Sequence, residues 1–271
     1  MKAYQPIITG LRLPPEAAKI ASGKLKLGID QIAAPPPQYR FPPALIPLWL
    51  EDYGEPTFVG VWKHWFTPGR SPTFVQVDLG NHCWVTEHAR TFEQLVLKLI
   101  GPNEDPDEGL DEDKSRLAKR FGIDEDDLPD LDITEHPAFS VDFPIWLTAD
   151  GTGYTGDFPY SKMPMDEERL RRSCGLELFG EIDRIAKLPG APPWFRKARQ
   201  AEVFDSLMAT GDHSGAWMSL NSPGWDIESM RRAVSRLADS ANDPEFRRLA
   251  DAWQAQKHER NVFSGPVDPL E

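Results

Sequence analysis

Several stretches carry residues that do chemistry in other proteins, and each misses a geometric requirement of that chemistry. Gly151-Thr152-Gly153-Tyr154-Thr155-Gly156 matches the GxGxxG string of a dinucleotide-binding turn. That turn must open directly into a helix whose amides meet the pyrophosphate. Asp157, Pro159 and Pro164 follow instead, so the stretch reads as a hairpin tip or loop. Asn103, Asp105 and Asp107 start like a calcium loop, but Glu108 stands where the turn needs Gly and Lys114 where the bidentate Glu belongs. His82, Cys83 and His88 are zinc-type donors without a fourth ligand at a telling spacing. Neighbours such as His82 and Cys83 would also point to opposite faces of a strand. In Gly211-Asp212-His213-Ser214-Gly215 a serine adjoins a histidine. Adjacent residues rarely form a nucleophile–base pair, and GxSxG is absent, so a loop between two helices is expected there. Acidic residues are plentiful, but no spacing singles out a hydrolytic pair. The residues therefore predict no cofactor, no metal and no catalytic set.

Charge is more informative. The chain of 271 residues carries 43 acidic and 30 basic side chains, a net of −13. The excess is concentrated between Gly101 and Glu135, where fourteen acids face four bases, a local net of −10. Glu104, Asp105, Asp107, Glu108, Asp111, Glu112, Asp124, Glu125, Asp126 and Asp127 are the candidate contact residues of this window. Direct binding to nucleic acid needs the opposite sign. An acidic face attracts basic partners and speeds encounter with them. Trp62, Trp65 and Tyr154 are the candidate aromatic anchors of such an interface. Two distant cysteines, Cys83 and Cys174, make no disulfide framework and suit a reducing compartment. No apolar run is long enough for a membrane span, and the N-terminus does not read as a secretion signal, so a cytoplasmic location is expected.

These residues need a scaffold, and the stretch from Thr57 to Ile100 supplies its nucleus. TFVGVW and TFVQVDL are β-branched and aromatic runs that favour strands. Gly80-Asn81 favours a tight hairpin turn into HCWVTE. Gly60 inside the first run predicts a bulge or a close neighbour. Thr91 with Gln94 forms a capping box opening the helix TFEQLVLKLI, which would cover the apolar face of the sheet. Before the nucleus, Pro14-Pro15 opens a short helix ended by Gly23, and Pro35-Pro36-Pro37 enforces an extended connector, so residues 1 to 38 read as a strap over the main domain. Leu45, Leu48, Trp49 and Leu50 suit one short helical face. His64, Trp65 and Arg70 invite reading as a recognition patch, against the alternative that Trp65 and Phe66 pack on the sheet edge.

Beyond the nucleus, Asp113 to Phe121 is a short helix with acid at its start and Lys119-Arg120 near its end, which complements the helix dipole. AFSVDFPIWLTAD alternates like an edge strand. After Pro164 the period becomes helical. Helices are expected from Asp166 to Ile185, from Trp194 to Met208, from an Asp226 cap, and from Asp243-Pro244. The fold class is α+β, a mostly antiparallel sheet flanked by helices and followed by a helical C-terminal half. The expected organisation is a first domain over 1–160, with the acidic insertion at 101–135, and a helical region over 161–271 packed on it.

Phe41 to Ile100 resembles the SUKH superfamily of immunity-protein domains. The residues that carry the likeness are FPPALIPLWLEDYG, PTFVGVW, TFVQVDL and TEHARTFEQLVLKLI. In that superfamily an apolar segment ends in a glycine turn, strands with a glycine follow, and a late helix covers the sheet. The likeness spans roughly a quarter of the chain; the acidic window and the helical end depart from the pattern. The resemblance implies an α+β domain without catalytic residues that binds a toxin, often a nuclease with a basic surface. It assigns no individual site residue, because members bind different toxins through different surfaces. The expected function is thus an immunity protein that occludes a cognate toxin. A structural or regulatory adaptor is the alternative, and a hydrolase using clustered acids or His64 and His213 the less favoured one. The oligomeric state stays open.

Overall fold

In the computed structural model the chain is α+β. The structure describes residues 3–25, 31–32, 41–52, 56–63, 65–66, 72–78, 84–89, 91–100, 112–124, 193–195, 199–222 and 224–256. Two short helices come first, α1 (Gln5–Gly10) and α2 (Pro15–Ala21). Five strands follow: β1 (Gln31–Ile32), β2 (Leu45–Asp52), β3 (Pro56–Trp62), β4 (Thr73–Asp78) and β5 (Trp84–Ala89). They form an antiparallel sheet in sequence order, a meander in which each strand pairs with the next. Helices α3 (Phe92–Ile100) and α4 (Glu112–Arg120) close the first half. The C-terminal part has a 3-10 turn at Pro193–Phe195, then α5 (Gln200–Ala209), α6 (His213–Leu220), α7 (Ile227–Ala241) and α8 (Pro244–Gln254).

Most of the local signals act as their chemistry dictates. The Thr91 hydroxyl accepts from the Gln94 amide at 3.1 Å, and the Gln94 side-chain oxygen accepts from the Thr91 amide at 3.3 Å, so the capping box is reciprocal. The Asp226 carboxylate accepts the Ser229 amide at 2.8 Å to start α7. Asn242, in the left-handed region, turns the chain from α7 into α8, whose first position is Pro244. The expected strand at 138–150 and the helix from Asp166 to Ile185 lie outside the described residues, as do Gly80-Asn81 and the proposed boundary near residue 160.

The segment after Pro43 differs from expectation. Leu45, Leu48, Trp49 and Leu50 lie on strand β2, not on a helix. Their spacing fits one face of a helix, but it equally fits a strand buried on both sides, and five apolar residues in eight cannot tell the two apart. The structure decides for the second case. Leu45, Ile46, Leu48, Trp49 and Leu50 are all at most 2 % exposed, as are Phe58, Val59, Val61 and Trp62 on β3. Residues of both parities are buried, so the centre of the sheet is covered on both faces. That is unusual for an antiparallel sheet, which more often keeps one face in water.

Pro47 interrupts β2 without ending it. It lies opposite Gly60 of β3, and the register shifts between Pro47 and Trp49, so the missing amide falls at a bulge. Gly60 answers both parts of its expectation: it sits beside this bulge and has a close neighbour. A Cβ at Gly60 would lie 2.5 Å from the Ile46 carbonyl oxygen and 2.7 Å from Leu45 Cδ1. β2 and β3 therefore approach too closely at the bulge for any side chain there.

The C-terminal helices do not fold against one another alone. Buried residues from Tyr4 to Trp253 form one hydrophobic cluster. Two hydrogen bonds fix how the helices meet the sheet. The Ala44 amide, next to the start of β2, donates to Asn221 Oδ1 at 2.7 Å, and Trp253 Nε1 donates to the Phe41 carbonyl at 2.9 Å. The Asn221 amide nitrogen Nδ2 in turn donates to the Trp217 carbonyl in the last turn of α6 at 2.8 Å. Asn221 thus satisfies two buried backbone groups on opposite sides of the interface while only 1 % exposed itself.

Two substitution tests follow. Gly60→Ala should destabilise the chain by about 1–3 kcal/mol through overpacking, whereas Gly10→Ala, where nothing lies within 4 Å of an added Cβ, should stabilise it by about 0.5 kcal/mol. Asn221→Ala should cost about 2–3 kcal/mol by leaving the buried Ala44 amide without an acceptor. Urea denaturation of each variant measures these differences; equal effects at the two glycines would contradict the close approach of β2 and β3.

Candidate functional site

Of the acidic window the structure describes residues 112–124, which contain α4, and α4 is anchored in three ways. Leu117 and Ala118 bury its inner face, and Ile123 follows them into the core. Arg120 Nη1 pairs with Glu16 Oε1 of α2 at 2.5 Å, and the Glu16 side chain is only 11 % exposed. The helix ends in a left-handed glycine cap. The Ile123 amide donates to the Ala118 carbonyl at 3.1 Å and the Gly122 amide to the Lys119 carbonyl at 3.2 Å, with Gly122 at φ +74. The cap ends α4 just before Asp124, the first acid of the next run. Glu112 at the head of the helix and Asp124 just past its end are both exposed. The remaining members, Glu104, Asp105, Asp107, Glu108, Asp111, Glu125, Asp126 and Asp127, lie outside the described residues, as does Tyr154.

The aromatic anchors fare differently. Trp62 is a core residue at 1 % exposure, so it cannot meet a partner at the surface. As the last residue of β3, it falls within a central strand that is covered on both faces. Trp65 is half-buried and already engaged. Its Nε1 donates to Asp243 Oδ2 at 3.0 Å, the Lys63 ammonium sits 3.7 Å from its ring centroid, and its ring lies 5.4 Å from that of Phe246. Phe66 packs edge-on against Phe246 and Trp217, at centroid separations of 5.1 and 6.2 Å. Trp65 and Phe66 do pack, and their ring partners are on α6 and α8. His64 and Arg70 lie outside the described residues.

Asp243 is the hub of this contact. One carboxylate oxygen, Oδ1, caps α8 through the Glu245 amide at 2.8 Å and the Phe246 amide at 3.3 Å, while the other takes the Trp65 indole. Burial opposes its ionisation, but the Trp65 indole N–H, the two amides and the Lys63 ammonium outweigh that and hold the carboxyl below its usual range. Lys63 Nζ also donates to Glu245 Oε2 at 2.9 Å. Beside this cluster a shallow cleft runs between α1 and α8, lined by Ile7, Gly10, Leu11, Trp65, Lys63 and Arg248. It continues past Arg248 to Asp251 and Ala252.

The catalytic strings of the sequence find no assembled centre among the described residues. His213 and Ser214 are not in a loop: they open α6, with Asp212 as its cap accepting the Gly215 amide at 2.8 Å. The sequence signal was an N-cap, Asp212 after the left-handed Gly211, rather than a nucleophile. His213 Nε2 lies 2.8 Å from Ser240 Oγ on α7, not on its neighbour Ser214. Among the described residues no carboxylate orients the other ring nitrogen, so the pair ties two helices together and has no general-base partner. No group of three or more His, Cys, Asp or Glu among the described residues is placed to hold a metal ion. The GTGYTG stretch, residues 103–111 of the Asn103-to-Lys114 string, the His82-Cys83 pair and the side chain of His88 fall outside the described residues; Lys114 itself lies in the first turn of α4. The tyrosine at position 4 is a buried polar group of another kind: burial pushes its phenol well above the usual value, and its hydroxyl has no partner among the described residues.

No helix among the described residues is long and apolar enough to cross a membrane. No protein-family model matches the chain, and comparison with curated proteins and with solved structures finds no match.

Asp243 yields a pH test. Because its folded pKa is depressed, its carboxylate contributes stability that is fully present above the unfolded value of about 3.9 and is lost as pH falls through the lower folded value. The stability gap between the wild type and Asp243→Asn should therefore be constant above about pH 5 and shrink in more acidic solution. Denaturant titrations at a series of pH values measure it, and a gap unchanged down to acid unfolding would mean the charge of Asp243 plays no part.

Proposed function

We propose that this chain is a cytoplasmic immunity protein, a binding protein of SUKH-like architecture that neutralises a cognate toxin by covering its active site. The observation that carries the reading is the concentration of fourteen acids between Gly101 and Glu135, arranged around a helix held on the core by Leu117, Ala118, Ile123 and the Arg120–Glu16 pair. A charged loop on a floating segment loses conformational entropy when it is ordered by a partner. The helix at the centre of this stretch is already ordered on the core, so for its own residues that cost is met before a partner arrives. The sign of the charge suits a toxin with a basic surface, such as a nuclease domain, and opposes direct contact with nucleic acid. The protein acts by occupying a surface, and no covalent step is assigned to it.

Binding of this kind has a kinetic signature. Charge steering raises the association rate and is screened by salt, while the dissociation rate is set by the close contacts. Reversing the charges of Asp124, Glu125, Asp126 and Asp127 to Lys should lower the association rate about tenfold or more at low salt, with a smaller change in dissociation. The partner for the measurement is a basic toxin encoded beside this chain, identified by the growth arrest it causes alone and the recovery that co-expression of this chain brings. An association rate indifferent both to the reversal and to salt would remove the acidic window from the mechanism. Recovery of growth that needs no complex between the two purified proteins would remove neutralisation by direct binding, and no recovery with any neighbouring toxin would remove the immunity reading itself.

A further inference from the structure

We draw no further inference here: the strongest candidate, the shallow cleft between α1 and α8 with Gly10 and Trp65 in its walls and Arg248 at its rim, carries nothing because its Lys63 is already paired with Glu245 and nothing in the structure shows what covers it.

Discussion

Two hydrogen bonds hold the entrance of β2 to helices that follow it at separations of 177 and 212 residues. Neither is strong by itself, but both lie in the buried interior, where an unmet donor costs more than a met one contributes. They join at a place where the sheet needs covering. β2 and β3 are apolar on both faces, and a meander so built is not stable with one side in water. Asn221 and Trp253 bring α6 and α8 to the strand entrance in a fixed position. The core around Trp49, Phe41, Phe58 and Trp253 is then continuous from the first helix to the last.

The same constraint explains the surroundings of Trp65. Once α8 is seated by Trp253, its N-terminus lies beside the residues that leave β3, and Asp243 meets Trp65 and Lys63 there. Phe66, Trp217 and Phe246 fill the space behind them in edge-on contacts. An exposed recognition patch and a packed aromatic joint use the same residue types. Trp65 belongs mainly to the joint, because its polar edge is bonded and its ring is covered by an ammonium and a phenyl group.

A second, smaller joint sets the acidic region. α4 has four basic side chains among its nine residues, Lys114, Arg116, Lys119 and Arg120, and the acids lie chiefly on its flanks. Arg120 is spent on Glu16, which itself is nearly buried on α2. The helix itself is therefore fixed on the core at the centre of the acidic stretch of sequence, and Gly122 in the left-handed region ends it.

The sequence alone determined what depends on neighbours a few residues away: the Thr91–Gln94 box, the Asp226 and Asp243 caps, the strands at TFVGVW and TFVQVD, the helix before Gly122, and the charge of the acidic window. Each is a local hydrogen bond, a backbone preference or a sum of charges, and each is complete within one or two turns of chain. The Gly60 signal was also local, although the oxygen that forbids a side chain there belongs to β2. Tertiary structure decided what a periodicity cannot. LIPLWL has a spacing that a helix and a doubly buried strand share, and only a partner on each face selects the strand. Trp62 and Trp65 are alike in sequence as aromatic anchors, but one is a core side chain and the other closes a joint with α8. The roles of Asn221 and Trp253 had no local signal, because the groups they satisfy, the Ala44 amide and the Phe41 carbonyl, reach them only when the chain has folded back on itself.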